Sequence, residues 1–266
     1  MREWADATWG VVRRDAIVFA TYRTQVLTMI VGTLFQLTIF YYIAQLLHAR
    51  TFATSTAYFA FVVVGMAIMQ ALVTTLGLTP GQVRQELVAG TMERFLVSPF
   101  GAGNGIVAMM VFPTLWSLLM GTIMLALAAL VFGLPLVATA PLAVPVALLG
   151  ALSFMPFTLA VVAVVVVFKQ ATAGTQFLIS GIAIVGGLYF PSALLPGWIR
   201  WTRQVQPFSP AADLLRHLLV GSPLQQSVAV DLAKLVGFGL ILFPLALLAL
   251  RSAIRFGQRR GTIIEY

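Results

Sequence analysis

The sequence predicts an all-α protein that crosses a bilayer six times. Three observations carry that expectation. Sixty per cent of the 266 residues are hydrophobic, 9 per cent are charged, and mean hydropathy is +0.98. Soluble domains carry about a quarter charged residues, so no ordinary soluble core fits. Apolar runs of about 20 residues, the length a helix needs to cross hydrocarbon, recur along the chain. Basic residues, finally, concentrate in alternate connecting segments.

Residues 1–24 place Trp9, Val12, Ala16 and Phe19 at helical spacing, with Arg2, Asp6 and Arg13 mostly elsewhere around the wheel. This pattern predicts a helix lying in the membrane interface; the alternative is a loosely ordered tail. The first apolar run, between Arg23 and His48, follows a mixed-charge segment. It is long enough to span, and is expected to persist as an anchor rather than be removed as a signal peptide. A second span covers about Tyr58–Leu78. No charge occurs between Arg94 and Lys169, a stretch too long for one span. "FGLPLVATAP" breaks it near Gly133–Pro141 into a third span, about Ile106–Phe132, and a fourth, about Pro141–Phe168. A fifth covers about Thr172–Tyr189 and a sixth about Leu232–Leu250.

An even number of spans puts both termini on one side. With that side cytoplasmic, the inner segments hold eleven basic residues and the outer segments five, counting Lys234 at a boundary. This follows the rule that basic residues favour the cytoplasmic face. "RSAIRFGQRR", from Arg251, is the clearest inside anchor.

Two connecting segments are unusual. Residues 79–100 include "ELVAGTMERFLVSPF", which starts at Glu86. Placing Arg84, Glu86, Glu93 and Arg94 in hydrocarbon would cost about 2.5–3.5 kcal/mol each near a helix centre. The segment is therefore expected on the cytoplasmic surface. Val83, Leu87, Val88, Met92, Phe95 and Leu96 form a broad apolar stripe, so it is expected to be helical and amphipathic. Gly90 ends one turn, Thr91 caps the next and Pro99 stops the run. Residues 190–230 hold several prolines and charges that forbid a full span, together with Trp198 and Trp201. Short helices dipping into the outer leaflet are expected there, with the tryptophans at headgroup level. Ser209 and Pro210 read as N-cap and first helical residue, and Gly221 as the stop. Asp213 is placed to meet Arg216 or His217 on one helix face.

Several function classes fall away. The net charge of +8 is scattered among apolar segments instead of forming one face, which argues against nucleic-acid binding. The absence of cysteine excludes disulfides, thiol catalysis and thiolate metal sites. No catalytic residue set and no metal-ligand cluster can be assembled. His48 and His217 both lie outside the spans, which argues against a haem protein. There is no phosphate-binding G-x-x-x-x-G-K-[ST] loop, and "GAGNG" at Gly101 lacks the lysine. The chain is not expected to hydrolyse ATP.

"QELVAGTMERFLVSPF" resembles the E-x-x-x-G-T-x-E-x-L-x-V-S-P signature of permeases from type-2 ABC exporters. Those include the daunorubicin-resistance (multidrug) and nodulation-export branches. Glu86, Gly90, Thr91, Glu93, Leu96, Val97, Ser98 and Pro99 match, while Phe95 stands where Leu is commoner. "GGLYFPSALLPGWIRWTRQVQPFSPAADLLRHLLVG" is similar to a second family stretch, through Gly187, Phe190, Pro191, Leu195, Pro196, Trp198, Pro207, Arg216 and Gly221. Gln206 departs from the usual Asn.

The resemblance implies a permease in the cytoplasmic (inner) membrane of a bacterium, paired with a second permease subunit as a homodimer or heterodimer. Two separate ATP-binding subunits would hold the ATP and Mg, leaving this chain without a cofactor. It also implies a coupling helix between spans two and three that rests on the ATPase. Glu86, Gly90, Thr91, Glu93, Arg94, Ser98 and Pro99 fall there. Pro191, Pro196, Trp198, Asp213 and Arg216 fall in an extracellular re-entrant gate. Uncharged spans suggest a hydrophobic or amphipathic cargo such as a drug, lipid or glycolipid. Phe35, Gln36, Tyr42, Gln70 and Gln176 are candidates to line the pathway. The polar ones are equally candidates for hydrogen bonds between helices; Ala183 and Gly187, four apart, would allow close helix approach, with local packing the simpler reading. The rival reading is an ion-coupled secondary transporter of drugs or lipids. It lacks the acid within a span that such carriers usually need.

Overall fold

A computed structural model describes residues 2–46, 52, 54–91, 101–168, 172–191 and 194–259, with the backbone alone for residues 2–4, 23, 172 and 173. Those residues contain helices and turns and no strand.

Helix α1 (Arg2–Thr21) is separated from α2 (Arg23–Leu46) by Tyr22 alone. Helix α3 (Ser55–Val88) starts where the Thr54 hydroxyl accepts the Ala57 N–H at 3.1 Å. Helix α4 (Ala102–Phe132) lies between Gly101 and Gly133, both at positive φ. A 3₁₀ turn (Ala140–Leu142) leads into α5 (Ala143–Phe168), followed by α6 (Thr172–Val185). Next come the short α7 (Gly197–Arg200), a 3₁₀ helix (Trp201–Val205), α8 (Phe208–Val220) and the long α9 (Val228–Arg259).

Five of the described helices (α2, α3, α4, α9, and α5 with its preceding turn) are long and apolar enough to cross a membrane. The fifth expected span is shorter than the sequence suggests. Helix α6 has 14 residues, about 21 Å of helix against roughly 30 Å of hydrocarbon. It ends because Gly187 adopts φ +64°, and the Leu188 N–H folds back to the Ala183 carbonyl at 3.2 Å. Gly187 is thus a helix stop, not a helix-packing position.

Two other spans run longer than expected. Helix α3 continues through Pro80 to Val88, so Gly81–Val88 is its last two turns and not a separate helix. Val83 and Leu87 explain this, since both are fully buried against α4, α5 and α9 while Arg84 and Gln85 face outward. Helix α9 continues past Leu250 by the same logic. Ala253, Ile254 and Gly257 are buried, and Arg251, Arg255 and Arg259 are exposed.

The interior divides into three clusters along the bundle. One joins Leu37, Phe59, Met66, Met124 and Leu134. A middle one joins Leu72, Phe154, Ile179, Leu188 and Phe208. The third joins Leu87, Ile106, Val166, Leu250 and Ile254. The ends of α3, α5 and α9 and the start of α4 therefore meet at one end, which also carries the exposed arginines of α9. Helix α4 packs along α3, α9 along α5, and α8 is wedged among α3, α5 and α9. Ser153 ties α5 to α9 by donating to the Leu235 carbonyl at 2.8 Å. Gln70, by contrast, bonds within its own helix to Thr74 at 3.4 Å.

In the 190–230 segment, α8 begins at Phe208 with Pro207 as its N-cap, so Ser209 and Pro210 lie inside the first turn and not at its edge. The Ser209 hydroxyl reaches back to the Gly186 carbonyl at 3.4 Å. Gly221, at φ +69°, closes the helix as expected. Asp213 pairs with Arg203 instead of Arg216 or His217.

Candidate functional site

At the basic end of the bundle, the last turn of α3 explains the spacing of Glu86, Gly90 and Thr91. The Ala89 N–H returns to the Gln85 carbonyl at 2.8 Å, and Gly90 then enters the left-handed region at φ +66°. That reversal lets the Thr91 N–H reach the Glu86 carbonyl at 3.0 Å. The Thr91 hydroxyl donates to the Glu86 carboxylate. One left-handed residue therefore folds Thr91 back onto the acid five positions earlier. The turn caps a helix end whose carbonyls would otherwise lack donors.

A carboxylate in the last turn of a helix sits against the negative end of its dipole, so it needs a cation. Arg14 of α1 supplies one, with Nη1 3.3 Å from Glu86 Oε1 and Nε 3.0 Å from Asp15 Oδ1. Both charges are partly solvated, so this pair contributes about 0–1 kcal/mol and orients more than it stabilises. Asp15 is 6 % exposed, and its Oδ2 has no hydrogen-bond partner among the described residues. Helix α1 lies against α4 through Phe19, whose ring centre is 4.5 Å from that of Trp116. Its inward face runs through Thr8, Val11, Val12, Asp15 and Phe19, whereas Trp9 and Ala16 point outward. Sequence reading missed Asp15 because an acid on an interfacial helix is expected on the polar side.

Around this turn Arg84, Gln85, Val88, Ala89 and Gly90 form an exposed patch of mixed polarity. Glu93, Arg94, Ser98 and Pro99 lie outside the described residues.

No atom of the described residues lies within 4 Å of a Cβ added at Gly90, so among them only its dihedral restricts substitution. Gly90→Ala is expected to cost about 1–2 kcal/mol, and Gly90→Asn, which tolerates the left-handed region, clearly less. Thermal unfolding in detergent checks the order; equal losses would mean that crowding, not conformation, fixes the glycine.

The opposite end holds the other expected residues. Pro191 and Pro196 accept local turn hydrogen bonds, from Leu194 and from Ile199 and Arg200. Trp198 and Trp201 are 76 % and 62 % exposed. Arg216 is 3 % exposed and makes no carboxylate contact among the described residues. Its Nε donates to the Phe61 carbonyl at 3.2 Å, and its Nη2 to those of Gly187 and Leu188 at 3.1 and 2.8 Å. Its guanidinium carbon stands 3.4 Å from the Phe61 ring centre.

The five pathway candidates are not gathered into one site. Phe35 and Tyr42 are exposed on α2, Gln36 and Gln70 are half-buried, and Gln176 is exposed on α6. None of them lines the apolar cavity of about 300 Å³ bordered by α3, α4, α5 and α8.

Residues 6–220 match the family model described as ABC-2 type transporter. No curated protein matches the chain. The family match covers well over half of the chain, both the capped end of α3 and the Arg216 segment fall inside it, and the long apolar helices make the protein a multi-pass membrane protein. The chain belongs to the ABC-2 type transporter family, as a permease component that works with an ATP-binding subunit.

Proposed function

We propose that this chain is the membrane subunit of an ATP-driven exporter in a bacterial cytoplasmic membrane, with its cargo hydrophobic or amphipathic. The observation that carries the proposal is the capped turn Glu86–Gly90–Thr91, tied through Arg14 to α1 at the basic end of the bundle. A push on the segment after Gly90 would reach α3 directly and α1 through Arg14. Such a coupling point suits two copies of an ATP-binding subunit, which would hold ATP and Mg, seated beneath two permease subunits. The motif spacing favours the drug-resistance and nodulation-export branch.

Six crossings fit this reading. Helices α5 and α9 both end in the cluster with Leu87, so the chain between them has to pass from one end of the bundle to the other. Helix α6 and the short helices after it make that passage, and both termini then lie in the cytoplasm. The exposed apolar residues of α2, among them Val31, Phe35 and Tyr42, are the candidates to face the second permease subunit. The mostly apolar interior supports a greasy cargo.

Glu93→Lys tests coupling. Co-reconstituted with its ATP-binding subunit in proteoliposomes, the variant is expected to fold normally while transport and transport-stimulated hydrolysis both fall. Unchanged values would remove the coupling role. Transport driven by an ion gradient without nucleotide would favour the secondary-transporter reading instead.

A further inference from the structure

The end of the bundle remote from Glu86 holds a second cavity, of about 270 Å³. It lies among α7, the 3₁₀ helix after it, and the first turns of α8 and α9. Its wall carries both signs of charge: Arg200, Arg203 and Lys234 against Asp213 and Asp231. Asp213 is engaged by Arg203, and Lys234 Nζ lies 2.7 Å from Gln226 Oε1. Asp231 differs. It is 4 % exposed, and its Oδ2 is buried with no hydrogen-bond partner among the described residues.

The first turn of α9 favours a negative charge at Asp231, which accounts for an acid at that place. It leaves the oxygen without a donor, an unfavourable state for a buried carboxylate. The cavity that Asp231 lines is where a cation can stand beside that carboxylate. The exposed Trp198 and Trp201 beside it mark headgroup depth, where phospholipid headgroups are the most concentrated solutes.

We propose that this cavity binds a zwitterionic amino-phosphate group of the phosphoethanolamine class. Its ammonium pairs with the Asp231 carboxylate from the cavity side, and its phosphate rests against Lys234 and the two arginines, which are suited to phosphate oxygens. A quaternary ammonium has no N–H to donate, so the site selects against phosphocholine. This assignment stands on the cavity alone and does not depend on which cargo is exported.

The test uses the full chain in detergent, titrated calorimetrically with O-phosphoethanolamine, phosphocholine and inorganic phosphate. Phosphoethanolamine is expected to bind about tenfold more tightly than phosphocholine, the worth of one charge-assisted hydrogen bond. Asp231→Asn is expected to abolish that preference, and Lys234→Gln to weaken phosphoethanolamine and phosphate alike. Thermal unfolding without ligand checks that both variants fold. If Asp231→Asn does not, the preference of the unaltered chain and the Lys234→Gln effect decide. Native mass spectrometry from nanodiscs of phosphatidylethanolamine or phosphatidylcholine then distinguishes the source. Selective retention of the former, lost in Asp231→Asn, assigns a lipid headgroup; soluble binding without retention assigns a free amino-phosphate. No saturable binding, equal affinity for phosphocholine, or phosphate binding as tightly as phosphoethanolamine would overturn the proposal.

Discussion

Replacing Arg216 with methionine is expected to lower the thermal unfolding midpoint in detergent by about 6 °C or more, the shift that goes with roughly 3 kcal/mol in a chain of this size. Methionine keeps much of the volume and removes every donor. The carbonyls of Phe61, Gly187 and Leu188 would then lose the guanidinium that joins α3 to the turn after α6. Relief from burying a cation offsets part of that loss. Arg216→Lys is expected to fall in between, because an ammonium keeps the charge but lacks the planar fork and the stacking over Phe61. A methionine variant as stable as the parent would show that the three carbonyls find other partners.

Gly65→Ala is expected to be at least as damaging. A Cβ at Gly65 would lie 1.7 Å from the Leu188 carbonyl oxygen and 3.0 Å from Arg216 Nη2. The first is a backbone atom, so relief requires moving the whole chain reversal after α6, at a cost beyond the usual 1–3 kcal/mol of overpacking. That movement also breaks the Arg216 hydrogen bonds. The two substitutions should therefore be strongly non-additive, the double variant losing clearly less than the sum of the singles. Additive losses measured by thermal unfolding would mean that Gly65 and Arg216 act in separate places.

These two residues show where sequence reading ran out. Gly65 is one glycine in an apolar run, and the Leu188 carbonyl that requires it is 123 positions away. Arg216 stood out in the sequence, but its local spacing pointed to Asp213, whereas Arg203 from the preceding 3₁₀ helix takes that carboxylate. Local signals fared better. The stops at Gly90 and Gly221 require only a left-handed residue after a helix, and both are present. Helix ends were harder, since hydropathy falls at Arg84 while the buried Val83 and Leu87 carry α3 on to Val88, one turn further. Helix α6 erred the other way. Its apolar run continues to Tyr189, and Gly187 turns the chain before that run is used.

The candidate site was legible in part. Glu86, Gly90 and Thr91 were grouped by the family resemblance, and the structure joins them in one capped turn. The Arg14 and Asp15 link to α1 depends on a packing partner 72 positions away and carried no local signal.

The central claim is that the surface just past α3 docks an ATP-binding subunit. Site-specific photo-cross-linking tests it without knowledge of the cargo. A photoreactive residue at Ala89, exposed beside the capped turn, is expected to cross-link the chain to its ATP-binding subunit in intact cells. The same probe at Leu130, exposed near the other end of α4, is expected not to. Cross-linking from Leu130 and none from Ala89 would contradict the account.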